Sequence, residues 1–156
     1  MISIALYNPD IPQNTAAIIR LCACFKIETH IIEPCAFKLE DPRFKRVLMD
    51  YEKESRIIRY PDYKSFIKSN LKARVILLTT KAKKFYHKFS FKKNDILLFG
   101  RESAGVPIEL HKSIKWKLKV PMNKKTRSMN LATSAAIVSS EALRQINFIN
   151  INEIRN

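Results

Sequence analysis

Short apolar runs alternating with helical patterns along the whole chain predict an α/β protein, a mostly parallel sheet sandwiched by helices. Two observations carry this. Val75-Ile76-Leu77-Leu78 and Ile96-Leu97-Leu98-Phe99 are continuously apolar, as strands become when both faces of a parallel sheet are covered. The helical patterns also fall between successive runs instead of being gathered at one end.

The predicted strands are Ile2–Leu6, Thr29–Ile32, Arg56–Arg59, Val75–Thr79, Ile96–Phe99 and Trp116–Val120. The first opens the chain as a short apolar run without a basic leader, so it reads as a strand and not as a signal peptide. The predicted helices are Asn14–Phe25, Pro42–Met49, Asp62–Ser69, Pro107–Ser113 and Asn130–Ile146. Asn14 suits the N-cap of the first, and Ser128 or Asn130 that of the last. Trp116-Lys117-Leu118-Lys119-Val120 alternates with period two, predicting a buried face (Trp116, Leu118, Val120) and a wet basic one. The final helix is crowded with small residues from Ala132 to Ala142, which serves a tight core or a subunit contact equally well. The tail after Asn147 reads as frayed.

With 156 residues and no internal repeat or linker, residues 1–156 are expected to form one domain. An apolar content of 46% excludes wholesale disorder. The best membrane candidate, Ala16 to Phe25, is short and interrupted by Arg20, so a soluble, cytoplasmic protein is expected. Cys22, Cys24 and Cys35 show no disulfide framework and are expected as buried or half-buried free thiols. His30, His87 and His111 lie singly, without ligand spacing, so no metal site is expected.

The net charge of +15 is unevenly spread. No acidic residue occurs from Leu110 to Ser140, while Lys112, Lys115, Lys117, Lys119, Lys124, Lys125 and Arg127 fall there. The stretch Lys81 to Lys93 carries six lysines, interleaved with Phe85, Tyr86, Phe89 and Phe91. Basic stripes mixed with aromatics suit a phosphate backbone with exposed bases, so the expected partner is nucleic acid.

Glycine usage singles out one loop. The chain has 2 glycines, Gly100 and Gly105, both directly after the apolar run ending at Phe99. They are either two ordinary turn glycines or positions where bare backbone is needed, for a positive φ or for a ligand pressed against the main chain. Gly-x-x-x-x-Gly is half of a phosphate-binding loop, but Val106-Pro107 replaces the required Lys-Ser/Thr, which excludes that NTPase motif. The dinucleotide fingerprint is missing, as is the full Gly-x-Ser-x-Gly elbow, since Arg101 stands where the first glycine before Ser103 would be. In α/β sheets ligands collect beyond the carboxyl ends of strands. Attention therefore falls on three loops: after Thr79, around Gly100–Gly105, and Pro121–Ser128. Arg20 stands out separately. It sits amid Ile18, Ile19, Leu21, Cys22 and Ala23, and either snorkels to the surface or is held for a charge.

Three segments together resemble a known family. They are Ile4–Thr15 with Ile18–Ala23 and Ile31–Pro34; Phe99–Pro107; and Val120–Met122 with Ser128–Leu131. In this order they resemble the motifs of the SPOUT superfamily of RNA methyltransferases, from Met1 to about Gln145. They are most similar to its small single-domain tRNA 2′-O-methyltransferases, which act on the wobble ribose, position 34, of cytidine or modified uridine. The resemblance implies a C-terminal trefoil knot, a homodimer, S-adenosyl-L-methionine as methyl donor and a tRNA anticodon stem-loop as partner. It implies that Leu78, Gly100, Gly105, Val120, Ser128 and Met129 line the cofactor pocket. Arg20, Asn14, Glu102, Ser128 and Asn130 match the catalytic-centre positions. Ala16, Ala17, Ala132 and Thr133 depart from the family pattern and bear on the shape of the substrate pocket. A methyltransferase for another tRNA or rRNA ribose, and a non-catalytic RNA-binding module, remain alternatives at this stage.

Overall fold

Alternation in the sequence becomes alternation in space. The structure is a computed structural model that describes residues 1–48 and 51–146; Met49 and the tail from Asn147 lie outside the described residues. Among the described residues the strands are β1 (Ser3–Tyr7), β2 (Glu28–Ile32), β3 (Ile57–Tyr60), β4 (Arg74–Leu78), β5 (Lys84–Phe85), β6 (Asp95–Phe99) and β7 (Trp116–Lys119). They form one 7-stranded sheet in the order β3-β2-β1-β6-β4-β7-β5, and every pairing is parallel. The helices are α1 (Pro12–Cys24), α2 (Pro42–Leu48), α3 (Tyr51–Glu54), α4 (Tyr63–Ser69), α5 (Ile108–Ser113) and α6 (Leu131–Gln145).

Both faces of the sheet are covered, which explains its continuously apolar strands. On one face Ile4 and Leu6 of β1, Ile76 of β4 and Leu97 and Phe99 of β6 pack against Ile18 and Cys22 of α1. Ala135, Val138, Ala142 and Leu143 of α6 complete that layer. The small residues of α6 thus let it lie close to the sheet. On the other face Ala5, Leu77 and Leu98 meet Phe66 of α4 and Ile114 beyond α5. Ile19 of α1 also contacts Phe44 and Leu48 of α2.

Strand β4 lies between β6 and β7, so the chain leaves β6, crosses β4 to form β7, and returns through α6 to α1. The end of α6 is pinned to the loop before β6. Gln145 donates from Nε2 to the Phe89 carbonyl (3.0 Å) and accepts at Oε1 from the Phe91 amide (2.9 Å). That loop is anchored in turn by buried Asp95, which accepts from Arg74 Nε (2.7 Å), Arg74 Nη2 (2.6 Å) and the Lys92 amide (2.8 Å).

Several expectations change. Helix α1 starts at Pro12, with Ile11 at the N-cap and no side-chain cap, so Asn14 is not the cap. Proline pre-sets the first-turn φ and its missing N–H costs nothing there. Strand β5 and helix α3 escaped prediction because they are two and four residues long and mostly polar. Lys117 does not face water: half-buried, its Nζ donates to the carbonyls of His111 (2.8 Å) and Ile114 at the end of α5. Within the basic segment 81–93, Phe89 and Phe91 are core residues, so they are not platforms for RNA bases. All three cysteines are free, but Cys24 is exposed. Burial pushes the Cys22 thiol up to about 12 and that of Cys35 up to about 11.

Candidate active site

The carboxyl ends of β1, β4, β6 and β7 open into one cleft of about 380 Å³. Leu78 ends β4, Phe99 ends β6 and Val120 follows β7, so the strand layout alone brings three distant loops together. Leu78, Phe99, Val106, Val120 and Leu131 give it apolar walls, while Thr79, Thr80, Ser128 and Ser134 put hydroxyls along it. A larger cavity, about 820 Å³, opens at the opposite edge, lined by Met1, Ser3, Glu28 and Asn94 at the amino ends of strands. None of the predicted site residues lines it, and parallel sheets place ligands at their carboxyl ends. The smaller cleft is the candidate site.

Both glycines have reasons internal to the chain. The Arg101 amide donates to the Gly105 carbonyl (3.0 Å) and the Gly105 amide to the Arg101 carbonyl (2.8 Å), folding residues 101–105 back on themselves. A Cβ on Gly100 would sit 2.5 Å from the Gly105 carbonyl carbon. Gly105 has φ +71°, the left-handed region. The main chain of this loop already requires glycine at both positions, through crowding at Gly100 and a positive φ at Gly105.

The loop between β1 and α1 locks onto this turn. The Asp10 carboxylate accepts from Arg101 Nε (3.0 Å) and Nη2 (2.7 Å), and from the Ser103 amide (3.2 Å) and hydroxyl. Hydrogen bonds from Arg101, then from Ser103, hold the Asp10 pKa down at about 2. Glu102 completes the lock, accepting from the Asp10 amide at Oε2 (2.9 Å) and from Asn14 Nδ2 at Oε1 (3.0 Å).

Asn14 then carries the connection to α6. Its Oδ1 accepts from Asn130 Nδ2 (2.9 Å), and Asn130 Oδ1 accepts from the Thr133 amide (3.1 Å) as the N-cap of α6. A carboxylate accepts at one end and a backbone N–H donates at the other, so both amide orientations are dictated. The chain Glu102–Asn14–Asn130 fixes three sequence-distant segments around the cleft mouth.

Leu78, Gly100, Gly105, Val120, Ser128 and Met129 all line the cleft, as do Asn14, Glu102 and Asn130. Arg20 does not. It projects from the exposed side of α1, with its guanidinium carbon 4.7 Å from the centroid of the Tyr51 ring. Asp10, Arg101 and Ser103 escaped the sequence reading. All three did fall inside the matched motifs, but nothing in their spacing shows that a side chain from one segment closes the other. Among the described residues no group of His, Cys, Asp and Glu is placed to hold a metal ion, and no helix is long and apolar enough to cross a membrane.

Residues 1–140 match the model of the SpoU rRNA Methylase family. The chain belongs to this family. It is 44% identical over 145 residues to a tRNA (cytidine(34)-2′-O)-methyltransferase of Beijerinckia indica, covering 92% of this chain and 91% of that one. A protein of the same description from Escherichia coli K12 is 37% identical over 150 residues, with 95% and 96% coverage. A solved structure described as "Structural insights into the 2-OH methylation of C/U34 on tRNA" superposes with TM-score 0.89 at 33% identity, covering 93% of this chain and 95% of that one. The parallel sheet with helices on both faces is thus the architecture of the family.

Two predictions follow from the lock. Gly100→Ala drives a Cβ into main chain and lowers stability by more than about 3 kcal/mol, whereas Gly105→Ala, strained in φ but uncrowded, loses about 1–2 kcal/mol; urea unfolding of the two variants measures the difference. Because the folded pKa of Asp10 lies below its ordinary 3.8, its contribution is fully present above about pH 4 and is lost as pH falls towards about 2. The stability gap between wild type and Asp10→Asn, followed by denaturation at a series of pH values, is therefore flat near neutrality and closes in that acid window.

Proposed function

We propose that the chain is an S-adenosyl-L-methionine-dependent tRNA 2′-O-methyltransferase acting on the ribose of nucleotide 34, cytidine or modified uridine, in the anticodon loop. One observation carries the reading: the three family motifs, far apart in sequence, meet at a single cleft. Relatives of that activity align with nearly the whole chain.

The cleft fits the methyl donor in size and character. Its 380 Å³ lies within the usual range for small-molecule sites, with apolar walls and a few polar groups. Leu78, Gly100, Gly105, Val120, Ser128 and Met129 would hold the cofactor. When bound, it supplies a methyl group on a positively charged sulfur, open to in-line attack. A 2′-hydroxyl losing its proton beside that charge needs little further oxyanion stabilisation, so the protein's contribution is mainly positional, worth up to ~7–11 kcal/mol where alignment is good. Glu102, Asn14 and Asn130 keep the cleft mouth in one geometry, and Ser128 offers a hydroxyl beside it.

Arg20 binds the substrate phosphate or ribose and orients the 2′-hydroxyl. A guanidinium, with a pKa above ~12, is a poor proton acceptor, so its role is electrostatic. Since Arg20 stands outside the cleft of its own chain, it serves the cleft of a second copy in a homodimer. The exposed lysines between Lys81 and Lys93 contact the tRNA backbone. A tRNA substrate makes the cytoplasm the place of action.

Arg20→Ala abolishes methyl transfer to tRNA while calorimetric binding of S-adenosyl-L-methionine is retained. Mixing Arg20→Ala with Glu102→Gln copies, each inactive alone, restores activity through hybrid dimers in which one site is intact. Persistent activity of Arg20→Ala contradicts the role; failure of the mixture contradicts the shared site.

A further inference from the structure

We infer that Tyr51 is a positioning residue for Arg20, its ring face holding the guanidinium in the orientation used on RNA. The inference rests on the role proposed above for Arg20. An exposed arginine samples many rotamers, and a group that must orient a hydroxyl loses rate for every orientation it visits uselessly. The guanidinium carbon lies 4.7 Å from the Tyr51 ring centroid, within cation–π range. The platform is itself held. Tyr51 is half-buried at the start of α3, α3 packs on α1, and Ser55 Oγ donates to the Tyr51 carbonyl (2.5 Å).

The pairing suits the task because a guanidinium that stacks on a ring engages it with its face. Phosphate and ribose oxygens are bound by in-plane N–H donors, so an arginine can stack and donate together. A lysine could not reproduce this, having no planar face. The contact seen is with the ring, so the ring is the part of Tyr51 that the inference concerns.

The test measures tRNA methylation kinetics and S-adenosyl-L-methionine binding for the full chain carrying Tyr51→Phe, Tyr51→Leu or Arg20→Ala. Tyr51→Phe keeps the ring, and its kcat stays within about twofold of wild type. Tyr51→Leu keeps apolar bulk but removes the π face, and kcat falls by about 3- to 30-fold, the range a cation–π contact supplies, with cofactor affinity unchanged. Wild-type kcat for Tyr51→Leu overturns the inference, and so does a Tyr51→Phe variant as slow as Tyr51→Leu. Should Tyr51→Leu fail to fold, phenylalanines of increasing fluorination at position 51 decide, because they keep the shape while draining the negative ring face. A kcat that falls with each fluorine supports the inference; a flat series overturns it. Wild-type activity of Arg20→Ala would instead overturn the role of Arg20 itself, a distinct outcome.

Discussion

One polar chain, Glu102 to Asn14 to Asn130, holds the candidate site together. Its members come from the loop after β6, the first turns of α1 and the N-cap of α6. Each link has a dictated polarity, from an acceptor-only carboxylate to a backbone donor at the start of a helix. Such a chain has one satisfied arrangement, and an amide turned the wrong way leaves two groups unpaired. The cleft walls are apolar and carry little directional information; this chain and the Asp10–Arg101 pair beside it supply the direction.

The glycine loop shows how backbone constraint serves that geometry. The mutual hydrogen bonds of Arg101 and Gly105 make a tight fold that brings Glu102 over the β1–α1 loop. Gly100 is bare because its own chain passes within contact, and Gly105 because its φ is positive. The scarcity of glycine elsewhere made this loop conspicuous in the sequence, and contacts within the chain account for both positions.

Most of the sheet was legible in the sequence for a simple reason. Strands buried on both faces have no polar side to confuse the pattern, as at Val75–Leu78 and Ile96–Phe99. Short elements were not legible: Lys84–Phe85 pairs with β7 through main-chain bonds that leave no trace in side-chain pattern. The aromatics of residues 85–91 looked like an RNA surface because alternation with lysine does not say which way a ring points. Phe89 and Phe91 point inward, under α6. Asn14 illustrates the same limit at the site. Its residue type suits a helix cap, whereas its amide joins two other segments. The members of the cleft could be named from motifs, but their mutual bonds depend on strand order, which sequence spacing does not encode.

On the function proposed, this cleft directs a methyl group to one ribose oxygen. Incubating the protein with unmodified tRNA and isotopically labelled S-adenosyl-L-methionine, then mapping the label by mass spectrometry, tests it most directly. Label is expected on the 2′-oxygen of nucleotide 34. Label on a base, on another ribose, or nowhere despite bound cofactor would contradict it.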